Sequence, residues 1–106
     1  MNQRELILLI VAFHPSVEEV EQLLSSLDGL SSRIGYAVVV NDHCPGEAVE
    51  QLAAGADVFL CNADNPGYGR GVNRLVSHLG DLPAYIGILN TDLSWHSGTF
   101  ETMLNW

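Results

Sequence analysis

The segment Asn65-Pro-Gly-Tyr-Gly-Arg-Gly-Val-Asn73 carries the most specific chemical signal in the chain. Glycines at alternate positions let a backbone approach a ligand closely, and a helix beginning there presents its N-terminal N–H groups to an anion. The spacing is not the dinucleotide-binding G-x-G-x-x-G, whose third glycine comes later. It is not a P-loop either, which requires Gly-Lys-Ser/Thr. The competing explanation is a turn whose glycines let a helix pack tightly on a strand. A second signal is Asn90-Thr91-Asp92. An aspartate facing a phosphate repels it unless a divalent cation lies between them, and a hard oxygen donor such as Asp92 suits Mg²⁺ or Mn²⁺. Taken alone, Asp92 reads equally well as a residue that orders a turn.

Charge narrows the chemistry further. There are 13 acidic residues against 4 basic ones, a formal net charge of −9, and all four basic residues are arginine: Arg4, Arg33, Arg70 and Arg74. A chain this acidic lacks the basic face that nucleic acid or an anionic bilayer requires. Without a lysine it has no P-loop or Schiff-base chemistry. Any phosphate must therefore be met by backbone N–H groups, a few arginines or a metal ion. His14, His43, His78 and His96 show no metal-ligand spacing, and no Ser/His/Asp or Cys/His nucleophilic arrangement is evident. Cys44 and Cys61, 17 residues apart, read as two buried or half-buried free thiols.

The elements that must position these residues follow from hydrophobic pattern. The 106 residues make one domain or part of one. Leu6–Phe13 is unbroken apolar, as expected for a strand buried on both faces of a parallel sheet. Tyr36–Val40, Val58–Cys61 and Tyr85–Leu89 repeat the theme. Ser16 and Glu19 form a capping box that opens a helix with Val17, Val20, Leu23, Leu24 and Leu27 on one face and Gly29 as its stop. Further helices are expected over Pro45–Ala53, with Val49 and Leu52 inward, and over Gly69–Leu79, with Val72, Leu75, Val76 and Leu79 inward. A last helix is expected over Ser97–Trp106, with Phe100, Met103 and Leu104 inward. The β-α-β-α-β-α-β-α order predicts a three-layer α/β/α sandwich with a mostly parallel sheet. The chain ends inside a helical pattern, so it reads as the front part of a larger domain, with a sheet edge and core face exposed for self-association. No apolar run reaches membrane-spanning length, and the expected location is cytoplasmic.

In such sheets ligands bind beyond the carboxyl ends of the strands. Phe13-His14-Pro15, Asn41-Asp42-His43, Asn62-Ala63-Asp64-Asn65 and Asn90-Thr91-Asp92 all fall there. Asn and Asp favour turns for their own reasons, but four such clusters on one edge point to a polar site.

With these motifs in this order, the chain resembles the N-terminal part of the inverting glycosyltransferase family 2, which has the GT-A, Rossmann-like fold. The matching segments are Ile7–Phe13 with His14-Pro15, Val38-Val-Val-Asn-Asp42, the glycine loop 65–73, and Ile88-Leu-Asn-Thr-Asp92. The Asn-Thr-Asp form is most similar to bacterial members that build rhamnose- or galactofuranose-containing surface polysaccharides. The resemblance implies a nucleotide-diphosphate-sugar donor, with Phe13, His14 and Pro15 lining the base pocket and Asn41 or Asp42 bonded to base or ribose. Asn65, Gly67, Tyr68, Gly69 and Asn73 would shape the pocket floor, and Arg70 would meet the diphosphate. Asn90 and Asp92 take the place of the family's Asp-x-Asp, so Asp92 would hold Mg²⁺ or Mn²⁺. Asn41 and Asn90 stand where the family has aspartate. The family's acceptor-binding region and general base find no match here, so no catalytic residue is assigned and the acceptor, a saccharide or lipid-linked saccharide, would be met elsewhere. The full enzyme would work in the cytoplasm or at the inner face of the membrane. The alternative is a non-catalytic nucleotide-binding or protein-interaction module.

Overall fold

The computed structural model describes residues 4–43, 46, 48–92, 95 and 98–105. Strands β1 (Leu6–Phe13), β2 (Ile34–Asn41), β3 (Val58–Cys61) and β4 (Tyr85–Asn90) form one sheet in the order β3-β2-β1-β4. Every neighbouring pair is parallel. The helices are α1 (Val17–Asp28), a 3₁₀ helix (Ala48–Gly55), α2 (Tyr68–Leu79) and α3 (Thr99–Leu104). The fold is the expected three-layer α/β arrangement, with the described sheet wholly parallel.

The unbroken apolar run of β1 is explained by its central place. Side chains alternate across a strand, so Leu6, Leu8, Ile10 and Ala12 enter the core beneath α1 and the 3₁₀ helix. Ile7, Leu9 and Val11 enter a second core beneath α2, around the fully buried Leu75. Each Leu, Ile or Val among them contributes about 1.5–3 kcal/mol of hydrophobic stabilisation when fully buried. The two flanking strands do not share this environment. In β4, Ile86 is 40% exposed and Ile88 51% exposed; they share the face of Ile7 and Leu9, where α2 packs across β2, β1 and β3 and leaves the outer strand uncovered. Cys61, expected to be buried or half-buried, is exposed at the end of the other edge strand. Cys44 lies outside the described residues.

Helix boundaries follow local chemistry. Ser16 Oγ accepts from the Glu19 N–H at 3.1 Å and Glu19 Oε1 accepts from the Ser16 N–H at 2.9 Å, completing the capping box of α1. Val20, Leu23 and Leu27 are buried and Gly29 ends the helix. Val17, expected on the same face, is exposed in the first turn of α1. The second helical segment is 3₁₀ rather than α. Residues three apart eclipse in that geometry, so Val49 and Leu52 share one buried stripe. The expected start of this segment at Pro45 lies outside the described residues. The buried Tyr36 hydroxyl donates to Leu52 O at 2.7 Å and ties the segment to β2. In α3, Phe100 and Leu104, one turn apart, pack on the first core. Met103, expected to face inward, is turned out to solvent beside them. Ser97 and Trp106, the expected ends of that helix, are outside the described residues.

The chain steps from β1 to β2 to β3 in one direction, and α2 then carries it back across the opposite face to β4, on the other side of β1. The strand order therefore reverses between β1 and β4. In open parallel sheets the crevice beyond the strand ends at this reversal is where ligands bind. Among the described residues no helix is long and apolar enough to cross a membrane.

Candidate functional site

The carboxyl edge of the sheet is built first by two sharp turns. Phe13 and Asn41 pair as the last residues of β1 and β2, and the residues that follow them, His14 and Asp42, have φ of 45° and 51°. They are the non-glycine residues with positive φ among those described. Such a conformation costs of order 1–3 kcal/mol and persists where surrounding contacts impose it. Here it directs the two side chains towards each other, with His14 Nε2 3.0 Å from Asp42 Oδ2. Phe13, 54% exposed, meets the His14 ring edge-on at 4.6 Å. Backbone bonds from Asp42 N–H to Asp64 O at 2.8 Å and from His43 N–H to Asn62 O at 3.0 Å join this turn to the loop after β3.

The glycine loop is strapped to the same edge. Asn65 Oδ1 accepts from the Gly67 N–H at 3.2 Å, and Gly67 has φ of +93°, a conformation that favours glycine. Gly67 O accepts the first α2 bond from the Gly71 N–H at 3.0 Å. The α2 N-cap has no side-chain cap and no acidic residue in its first turn, so its N–H groups carry the uncompensated positive end of the helix dipole. Tyr68, Gly69 and Arg70 are exposed on that turn, and Asn73 is exposed in the next. Arg74 is held by Asp64 through two bonds of 3.0 and 3.2 Å, and the guanidinium keeps the Asp64 carboxyl below the usual carboxylate range. Arg4 and Arg33 are likewise paired, with Asp57 and Glu5. Among the described residues, Arg70 is the arginine without an ion pair.

Asn41, expected as one of two residues that could bond base or ribose, is buried among neighbours of the fold. It is 2% exposed, its Nδ2 donates to Gly67 O at 3.4 Å, and its Oδ1 accepts from Asn62 Nδ2 at 3.0 Å. Asn62, 7% exposed, had no assigned role in the sequence. Nothing in its spacing distinguishes it from a turn residue. On the far side of β1, Asn90 pairs with Val11 and the chain leaves the sheet through buried Thr91 and exposed Asp92. Asp92 thus stands across the strand-order reversal from His14.

Phe13, His14 and Pro15 at the end of β1, Asp42 after β2, Asn65, Gly67, Tyr68, Gly69 and Arg70 after β3, and Asn90 and Asp92 at the end of β4 all lie along the carboxyl edge of the sheet. Trp95 is not among them: it packs edge-on against Phe100 at 5.0 Å and belongs to the first core. Among the described residues no three His, Cys, Asp or Glu side chains gather as a metal centre. One carboxylate is nonetheless a donor set that suits Mg²⁺, which commonly takes one or two carboxylates and completes its shell with substrate phosphates and water. A cavity of about 380 Å³ opens at the opposite end of the sheet, lined by Arg4, Leu27, Ser31, Tyr36, Gln51 and Gly55 among others. It contains none of the expected site residues, and its cation is already engaged by Asp57 and by Ser32 O at 2.6 Å. No protein-family model, curated protein or solved structure matches the chain.

Proposed function

We propose that this chain is the donor-binding part of an inverting GT-A glycosyltransferase of polysaccharide or cell-surface glycan synthesis, and that it takes a nucleoside-diphosphate sugar. The observation that carries the reading is the strand-order reversal between β1 and β4, which faces the His14–Asp42 pair and Phe13 on one side and Asp92 on the other. Phe13 and His14 offer ring surface to a base, and Asp42 offers an acceptor to base or ribose. The open first turn of α2, with Arg70, offers N–H groups and one cation to the diphosphate. Asp92 would hold the divalent cation, whose contribution is to neutralise charge on the leaving diphosphate.

The test is calorimetric titration of UDP and dTDP, each with and without Mn²⁺, against wild type and Asp92→Ala. The expected result is binding of one nucleotide that requires both the metal and Asp92. Binding that ignores both would favour a nucleotide-binding module without transfer, a reading that the Asn90 replacement also suits. Failure of both nucleotides to bind would sink the donor-site proposal.

A further inference from the structure

We infer that Asn41 is a positioning residue that locks the glycine loop through a one-way amide relay with Asn62. The direction of the relay is fixed by elementary bonding capacity. Gly67 O can only accept, so Asn41 must turn its NH₂ towards it. That leaves Asn41 Oδ1 facing Asn62, which must then donate its own Nδ2. Reversing either amide sets donor against donor or acceptor against acceptor in a place from which water is largely excluded, with Asn41 and Asn62 2% and 7% exposed.

The relay ends on the atom that starts α2. Gly67 O accepts the Gly71 N–H bond as well as Asn41 Nδ2. Asn41 also lies against Gly71, where a Cβ would stand 3.3 Å from its Nδ2. The side chain therefore sets both the height and the distance of the helix turn that carries Gly69 and Arg70. An aspartate at position 41 accepts from Asn62 but cannot donate to Gly67 O, and its charge would face that carbonyl. An amide at position 41 thus has a physical reason: the residue serves the loop. Its effect on nucleotide binding rests on the proposed function above, whereas its effect on the loop does not.

The experiment compares wild type with Asn41→Asp, Asn62→Asp and Asn41→Ala by two readouts. One is the amide-exchange protection of Gly71 without ligand, and the other is affinity for UDP or dTDP with Mn²⁺. At pH 8, Asn41→Asp is expected to lower Gly71 protection and nucleotide affinity about tenfold or more. As pH falls towards 5.5, both should recover, because a protonated carboxyl donates to Gly67 O and still accepts from Asn62. Asn62→Asp should behave in the same way, its protonated form restoring the donor, while Asn41→Ala should show the loss without recovery. The titratable and charged groups on this turn and the elements packed against it are His14, Asp42, His43 with its neighbour Glu50, Cys61, Asp64, Tyr68, Arg70 and Arg74. They are present in wild type too, so the wild-type pH profile is subtracted. If the variants do not fold, the wild-type side-chain amides decide: Asn41 and Asn62 NH₂ protons should exchange more slowly than those of exposed Asn65. Wild-type protection of Gly71 in Asn41→Asp at pH 8, a loss that does not recover with acid, or unprotected amides would overturn the relay. Failure of wild type to bind either nucleotide would overturn the donor site while the exchange readout still decides the relay.

Discussion

A Cβ on Gly71 would meet Asn41 Nδ2 at 3.3 Å and Val39 Cγ1 at 3.5 Å, whereas one on Gly69 would meet nothing within 4 Å. Gly67 needs its positive φ, and Gly71 needs its missing side chain so that α2 can lie close on β2. Neither demand applies to Gly69, which stands in a helical turn where glycine is less favourable than alanine by roughly 0.5–1 kcal/mol. Gly69→Ala should therefore leave the melting temperature unchanged or raise it. If a diphosphate approaches this backbone, the same variant should weaken UDP or dTDP binding about fivefold or more by obstructing that approach. A thermal melt beside a titration separates the two effects, and unaltered binding would remove Gly69 from the ligand surface. Gly71→Ala should do the reverse and lower stability, because the helix must move by a few tenths of an ångström from a buried contact. The His14–Asp42 pair belongs to the same scale: two strained backbone turns are held so that one ring and one carboxylate meet at 3.0 Å.

Elements were legible in the sequence to the extent that each is specified by its own residues. The run Leu6–Phe13, the Ser16/Glu19 box and the 72-75-76-79 stripe each carry their meaning locally, and β1, α1 and α2 formed as read. The cap itself should be worth about 1 kcal/mol, so Ser16→Ala should lower unfolding free energy by that amount in a denaturant titration. What was not legible depends on which strands become neighbours. The edge position of β4 is invisible in an apolar hexapeptide. So is the link from Asn41 to Asn62 or the pair of Arg4 with Asp57, because partners 21 and 53 residues apart meet only after register is set. The docking of α3 is of this kind. Glu101 Oε2 accepts from the Ser31 N–H at 3.0 Å, and that bond, with the backbone N–H of Glu101 itself, holds its carboxyl below the usual range. A lowered folded-state pKa means that this contact stabilises above the unfolded value of about 4.3 and is lost as pH falls through the folded value. The Trp95 indole N–H resonance, which reports the α3 side of the core, should therefore shift on acidification below about pH 4.3. Glu101→Gln should move that resonance less with pH, and an identical titration in both proteins would exclude Glu101 as the cause. Asp64 and Glu5, held low by Arg74 and Arg33 respectively, contribute in the same direction but lie outside α3.

At the scale of the whole molecule the balance of 13 acidic residues against 4 arginines governs behaviour. Three of those arginines are spent on exposed or half-exposed ion pairs, and such pairs contribute little, with a median of about 0–1 kcal/mol each. The remaining acids repel one another over a Debye length of about 30 Å at 0.01 M salt and only about 10 Å at 0.1 M. Screening should therefore relieve more repulsion than attraction, and the melting temperature should rise by a few degrees between about 10 and 300 mM KCl. A fall would mean that the ion pairs outweigh the surplus charge. If the chain takes a nucleoside diphosphate as proposed, the same field acts on that ligand as it approaches Asp42, Asp64 and Asp92. Without a divalent cation, UDP or dTDP should bind more tightly as salt is added, opposite to the dependence of an anion site built from basic residues. With saturating Mn²⁺ the approaching charge is largely cancelled, so the dependence should flatten. Isothermal titration at several KCl concentrations, with and without Mn²⁺, reads both slopes. A metal-free affinity that falls with salt would show that local donors at α2 and Arg70 dominate over the acidic surface.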